Sequence, residues 1–312
     1  MNNYSKENYC FLKEKLVRCL KFDFNEILEK LNNNIICVGS GSSYSTAYLF
    51  SKILRNLFKK NSLVMKPREL LNEEIKDNVS IIIFSYSGTS KDTIYLRNKY
   101  PNSILICGRN IEEFEKKENV YSYYCGLKYE RGGILYENII IPLTILLKCF
   151  NNFSEIVKYE INNLEYCDSN NVFISETINN IAIFGGDFCE TACLNFCNKI
   201  LETGIIKFDY FEKKDFSHGI YMYFLKNKYD SIIYFKQKNI SNYEKKLIEF
   251  LQTRNIRIIF VESNFNSFEA EYDLIYKSNK LFNSILISKS DKFNISSTTG
   301  SEQLYKYEGD FS

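Results

Sequence analysis

Apolar and polar positions alternate along most of the chain with two different periods. Short, uninterrupted apolar runs are typical of strands that are buried on both faces, and the stretches between them carry apolar residues at the three- and four-residue spacing of amphipathic helices. Strands that alternate with helices predict an α/β fold in which parallel sheets are flanked by helices on both faces. The apolar runs are 34–38, 63–65, 80–84 and 103–107 in the first half and 181–184, 231–235 and 256–261 in the second.

The strand and helix order restarts in the second half, after a polar stretch at 167–171. We therefore predict a first domain at 34–168 and a second at 169–312, preceded by a helical segment at 1–33. A long apolar-periodic stretch at 135–165 predicts a helix at the end of the first domain. The similar order of elements in the two halves suggests an internal duplication.

Composition narrows the possible partners and locations of the 312-residue chain. Its 40 basic and 38 acidic residues leave a formal charge of +2, so no overall field favours nucleic acid or an anionic membrane. The longest apolar run, 139–147, is far shorter than the roughly 20 residues of a membrane span. The N-terminal residues also lack the pattern of a signal peptide. We therefore expect a cytoplasmic protein.

Cysteine and histidine usage gives no sign of a metal centre. The ten cysteines form no Cys-x-x-Cys pair, and the chain has a single histidine. Reduced, buried thiols are favoured over disulfides or zinc ligands. The row Cys189, Cys193 and Cys197, at four-residue spacing on one helix face, is interpreted in the same way. We expect no metal and no other cofactor.

Two serine-rich turns, 39–43 and 85–90, each follow a predicted strand and open a predicted helix. Backbone N–H groups and hydroxyls converge at the positive end of such a helix, and a phosphate suits that environment. The alternative is ordinary N-capping by serine. Neither turn is a Walker loop or a dinucleotide fingerprint.

These turns resemble two motifs of the SIS (sugar isomerase) domain family. The segment 38–44 resembles its G-x-G-T-S motif, and 85–93 resembles S-x-S-G-x-T-x-D-T. In that family the loops hold the phosphate of a sugar phosphate. Tyr86 stands where a glutamine is frequent, and Thr89 replaces a glutamate. The resemblance implies phosphate-binding residues at Ser42, Ser43, Ser85, Tyr86, Ser87 and Ser90.

The second half resembles the tandem-SIS isomerases of the glucosamine-6-phosphate synthase type. The similar segments are 193–202 and 214–219, and Glu202 and His218 are sixteen residues apart, as the catalytic Glu and His are in that family. The only imidazole of the chain thus falls on a catalytic position; the alternative is a structural or surface histidine. The segment 301–306, near the C-terminus, resembles the L-x-K tail of the family, and Lys306 falls on the position of its lysine. The alternative is a solvated tail.

The resemblance implies an aldose–ketose isomerase of a phosphosugar or of an amino-substituted phosphosugar, as an isomerase, deaminase or deglycase. His218 would relay the proton of ring opening, Glu202 would move a proton between C1 and C2, and Lys306 would stabilise the enediol or condense with the ketone. Family members form homodimers whose active site takes the histidine from the neighbouring subunit. Residue 2 is Asn, so we expect no glutaminase. The alternative is a sugar-phosphate sensor without turnover.

Overall fold

The computed structural model describes Cys19 and residues 22–115, 118–123, 140–149 and 178–289. These residues fall into two compact units, the first containing those up to residue 149 and the second those from residue 178. Each unit has one parallel sheet with helices packed against it, so the predicted α/β fold is confirmed. The predicted domain boundary at 167–171 lies outside the described residues.

The first unit has a five-stranded parallel sheet with helices packed against it. The strands are β1 (Asn34–Val38), β2 (Asn61–Met65), β3 (Val79–Phe84), β4 (Ile104–Cys107) and β5 (Val120–Ser122), and the helices are α1 (Asn25–Glu29), α2 (Ser42–Asn56), α3 (Pro67–Leu71), α4 (Lys91–Lys99) and α5 (Ile140–Cys149). The strand order in the sheet is β2-β1-β3-β4-β5. The chain leaves β1 toward β2 on one side and leaves β3 toward β4 on the other, so the strand order reverses between β1 and β3.

Apolar side chains cover both faces of this sheet, which explains why its central strands are uninterrupted apolar runs. Val38, Ile83 and Leu105 belong to the core on one face. On helix α2, Phe50 packs its ring 5.6 Å from that of Phe84. Burial on both faces is the usual situation of a parallel strand and removes the polar positions that a half-exposed strand would show.

The second unit has a four-stranded parallel sheet with helices packed against it. The strands are β6 (Asn180–Gly185), β7 (Lys207–Glu212), β8 (Ser231–Lys236) and β9 (Arg257–Glu262), and the helices are α6 (Glu190–Thr203), α7 (Tyr221–Lys226), α8 (Asn242–Gln252) and α9 (Ser267–Ser288). The strand order in the sheet is β7-β6-β8-β9, which matches that of the first four strands of the first sheet. The internal duplication itself stays a prediction.

An aromatic cluster forms the core on one face of the second sheet. Phe184 is fully buried at its centre, with the rings of Phe211 and Phe216 each 5.1 Å away. Phe216 also contacts the ring of Phe224 on α7 at 5.5 Å. The turn that follows β7 is therefore held against the sheet by a buried side chain.

The structure differs from the sequence prediction at specific elements. Helix α2 begins at Ser42 rather than near Thr46. The sequence missed strand β7, whose burial is only partial along most of its length because it lies at the edge of the sheet. It also missed β5 and α9. Among the described helices, none combines the length and the apolar character needed to cross a bilayer.

Candidate functional site

The two serine-rich loops lie side by side in the first unit. Strands β1 and β3 are neighbours and pair Val38 with Ile83, so the loops that follow them leave the same edge of the sheet together. One loop opens α2 and the other opens α4. The structure thus brings both predicted loops to the reversal of strand order, where parallel α/β sheets collect ligands.

The first loop is compact because glycines allow a close approach. A methyl group at Gly39 would lie 2.3 Å from the carbonyl oxygen of Ser43, so only glycine lets β1 and α2 come this near. Gly41 has a φ of +54°, which L side chains rarely adopt. Ser42 and Ser43 are consequently in the first turn of the helix, where the backbone N–H of Ser43 donates to the carbonyl of Ser40 at 3.0 Å.

The second loop is organised by its own hydroxyl groups. Ser85 Oγ accepts the N–H of Gly88 at 3.1 Å, and Ser87 Oγ accepts the N–H of Thr89 at 3.3 Å. A hydroxyl that accepts in this way still has its own proton to donate. Ser85 and Ser87 are half-buried, so they can shape the loop and donate to an anion at the same time.

Ser90 has the structural role that the sequence left as an alternative. Its hydroxyl oxygen is the N-cap of α4 and accepts the N–H of Thr93 at 3.3 Å. The two hydroxyls of Ser90 and Thr93 are also hydrogen-bonded, at 2.7 Å. Ser90 thus fixes where the helix begins, and a role in holding phosphate stays a prediction.

Tyr86 packs at the end of β4. Its ring lies 3.0 Å from the position that a methyl group at Gly108 would take, and its carbonyl accepts the N–H of Gly108 at 3.0 Å.

Arg109 is a cation beside the second loop. Its guanidinium donates to Thr89 Oγ1 at 3.1 Å and pairs with Glu113 at 2.6 Å. This cation was not predicted from the sequence. Its position two residues after the predicted strand 103–107 was the available signal.

The structure does not bring Glu202 and His218 together within one chain. Glu202 is exposed in the last turn of α6, and His218 is exposed in the turn after β7. The six residues of β7 run between them, a length of about 17 Å at roughly 3.3 Å per residue. The two side chains therefore lie toward opposite ends of this strand. Lys306 lies outside the described residues.

Two cysteines of the predicted row, Cys193 and Cys197, are buried in α6, and their thiols are unreactive. Burial raises the pKa of Cys197 to about 12 and raises the pKa of Cys193 well above its ordinary value. Both thiols are therefore protonated near neutral pH and poor nucleophiles. In the ranges that the structure describes, no three His, Cys, Asp or Glu side chains are grouped as metal ligands.

Glu212 is a titratable group that was not among the predicted site residues. It lies at the carboxyl end of β7, next to Gly186, where a methyl group would come 3.2 Å from its Cγ. Desolvation raises the pKa of Glu212, and the nearby carboxylates of Glu190 and Asp215 raise it further. Glu212 could not be predicted from the sequence because β7 itself was not predicted.

The fold is similar to that of solved structures of sugar-phosphate enzymes, whereas no protein-family model and no curated protein sequence matches the chain. Glucosamine-6-phosphate deaminase of Thermotoga maritima has a TM-score of 0.73 at 16% identity, over 93% of this chain and 96% of that one. Tagatose-6-phosphate ketose/aldose isomerase of Escherichia coli gives 0.73 at 16% identity, with 94% and 95% covered. The C-terminal domain of glucosamine-fructose-6-phosphate aminotransferase of Francisella tularensis gives 0.64 at 15%, with 93% and 95% covered.

Proposed function

We propose that the chain binds a sugar phosphate and interconverts its aldose and ketose forms. The observation that carries the proposal is that two hydroxyl-rich loops leave the same edge of the sheet, after the neighbouring strands β1 and β3, and that each lies at the N-terminus of a helix. Hydroxyl donors, backbone N–H groups and helix dipoles together favour a phosphate dianion. The names of the solved structures with this fold support the same substrate class.

In the proposed reaction the phosphate supplies binding energy remote from the reacting carbons and fixes them against the acid–base groups. His218 exchanges the proton that opens the sugar ring. Glu202 then takes a proton from the carbon beside the carbonyl and returns it to the neighbouring carbon, so no electrons are gained or lost overall. Lys306 stabilises the enediol intermediate or condenses with the ketone. An amino-substituted phosphosugar is a second candidate substrate; its deamination would consume one water molecule, which supplies the carbonyl oxygen, and would release ammonia as the additional product.

The proposed chemistry requires two copies of the chain, because Glu202 and His218 lie toward opposite ends of β7. We infer a homodimer in which His218 of one copy meets Glu202 of a second copy. The support is an apolar surface in the residues that follow His218. Its side chains are large and apolar, and each is more than a third exposed, as is typical of a surface that another protein covers. These side chains are Ile220, Tyr221, Met222, Tyr223 and Leu225.

Turnover of fructose 6-phosphate and of glucosamine 6-phosphate, with and without ammonia, tests the proposed reaction. Following sugar interconversion and ammonia release should reveal activity in the wild type. Glu202→Gln and His218→Ala should each lower kcat by about 10²-fold or more, as is typical of lost general acid–base groups. Both variants should still bind the sugar phosphate, measured by the rise in melting temperature with ligand concentration.

Mixing the two inactive variants tests the dimer. If subunits exchange and the site is shared, random pairing gives one intact site in each mixed dimer, and about a quarter of the wild-type activity returns. Each variant alone remains inactive under the same conditions. A mixture that forms mixed dimers, checked with differently tagged chains, but recovers nothing would contradict a shared site.

A sensor without turnover is the second candidate, favoured by the separation of Glu202 from His218 in one chain. The sensor requires only the loops of the first unit. Wild-type protein that binds hexose phosphates across a panel, loses that binding in Ser87→Ala, and converts none of them would favour the sensor over the isomerase.

A further inference from the structure

Lys213 forms a buried ion pair with Glu244. The lysine is 2% exposed, and its Nζ lies 2.5 Å from Glu244 Oε1 on helix α8. The same Nζ donates to the carbonyl of Phe235 at 3.2 Å, at the end of β8. The hydroxyl of Tyr234 donates to Glu244 Oε1 at 3.4 Å, and the Tyr234 ring lies 5.5 Å from the ammonium. Every contact of this charge is therefore made in the interior of the second unit.

The backbone of Lys213 is fixed as firmly as its side chain. Its N–H donates to the carbonyl of Gly185 at the end of β6, at 2.9 Å, and its carbonyl accepts the hydroxyl of Tyr243 at 2.9 Å. One residue thus joins the end of β7 to β6, β8 and α8. Burial by itself would lower the pKa of Lys213, but Cys189 and Glu244 outweigh burial and hold this pKa above its ordinary value. The side chain is consequently charged at neutral pH.

The ion pair lies at the start of the turn that carries His218. The turn has two further fixed points: Phe216 is buried in the aromatic cluster, and the N–H of His218 donates to the carbonyl of Asp215 at 2.9 Å. Ser217, His218 and Gly219 are exposed. Gly219 has a φ of +100°, so the backbone changes direction directly after the imidazole. The direction of the exposed tip therefore depends on how firmly its buried base is held.

We propose that the buried Lys213–Glu244 pair is a positioning device that fixes the His218 turn for proton transfer. This inference rests on the proposed function of His218. Replacing a buried ion pair by apolar residues of similar volume is often neutral for stability, whereas removing only one partner leaves an uncompensated buried charge. We therefore infer that the main contribution of this pair is the geometry that it imposes on the turn. Lys213 acts through His218 and touches no substrate itself.

The test replaces both charges together, in Lys213→Met/Glu244→Leu, so that no unpaired charge stays buried. The matched control is Lys214→Met, which changes the neighbouring lysine, an exposed residue paired with Asp187. The double variant should fold, with a far-UV circular dichroism spectrum like that of the wild type. Its kcat should fall by about tenfold to a hundredfold, as a small misplacement of a reacting group does, with little change in KM. The control should retain the wild-type kcat.

The single histidine of the chain allows a readout that does not depend on turnover. One imidazole gives one set of ring signals in an NMR spectrum of the full chain. The double variant should shift and sharpen these signals as the turn becomes mobile, and the control should leave them in place. A folded double variant with the wild-type His218 signals and kcat would overturn the inference. If the wild type itself shows no turnover, the proposed function fails, and the His218 signals alone still decide whether the pair positions the turn.

Discussion

Truncation of Phe184 to alanine should be among the most destabilising single changes in the second unit. The side chain is 0% exposed and lies between Phe211, Phe216, Phe224 and Tyr234, with ring centroids 5.1–5.8 Å away. Strands β7 and β8, helix α7 and the buried base of the turn after β7 hold these neighbours, so they can close only partly around the missing ring. Lost burial and the resulting cavity together should cost about 3–5 kcal/mol of the free energy of unfolding. That is a large part of the roughly 5–15 kcal/mol of a typical domain.

Phe260→Ala is the matched control, because it removes the same atoms from the same sheet. Phe260 is 39% exposed on β9, so less apolar surface returns to water and the space that it leaves is open to solvent. Its ring also lies 4.9 Å from the ammonium of Lys236, a contact worth about 0.5–1 kcal/mol at an exposed site. We expect a total loss of about 1–2 kcal/mol, below that of Phe184→Ala.

Urea unfolding followed by far-UV circular dichroism measures both losses, since the chain has no tryptophan for fluorescence. The urea concentration at the unfolding midpoint should fall much further for Phe184→Ala than for Phe260→Ala. The slope of the free energy of unfolding against urea concentration should be similar for the two variants. Equal losses, or a larger loss for Phe260→Ala, would show that the aromatic cluster is not the tightly packed core described above.

Two further predictions concern the loop glycine and the titration of Glu212. Gly39→Ala places a methyl group 2.3 Å from the carbonyl oxygen of Ser43, so it should cost about 2–3 kcal/mol and weaken sugar-phosphate binding. Gly204→Ala, with a φ of +61° and no atom within 4 Å, should cost only about 1 kcal/mol and leave binding intact. Equal losses in thermal unfolding would contradict the close approach of β1 and α2. The pKa of Glu212 in the fold lies above its ordinary value of 4.5, so its ionisation opposes folding only as the pH rises above 4.5. Glu212→Gln should accordingly raise the melting temperature at about pH 7 and not at about pH 4, and a gain that is the same at both would refute this account.

Much of the fold could be predicted from local patterns. The central strands are recognisable because burial on both faces leaves uninterrupted apolar runs, as at 34–38 and 80–84. The edge strand β7 escaped prediction because its partly exposed face admits charged residues such as Asp209, and the run is no longer apolar. The serine-rich loops were predicted as a pair because each combines glycine and hydroxyl residues directly after a strand.

The sequence by itself determined most of the strands, the two loops that are rich in glycine and hydroxyl residues, and that a single imidazole is available. Only the tertiary structure decided that β1 and β3 are neighbours, so that loops more than forty residues apart leave one edge of the sheet together. It also decided that Ser90 caps a helix, that Lys213 pairs with Glu244, and that β7 separates Glu202 from His218. Strand order and long-range pairing depend on which apolar faces pack together, and that choice is made by the chain as a whole rather than by any local pattern.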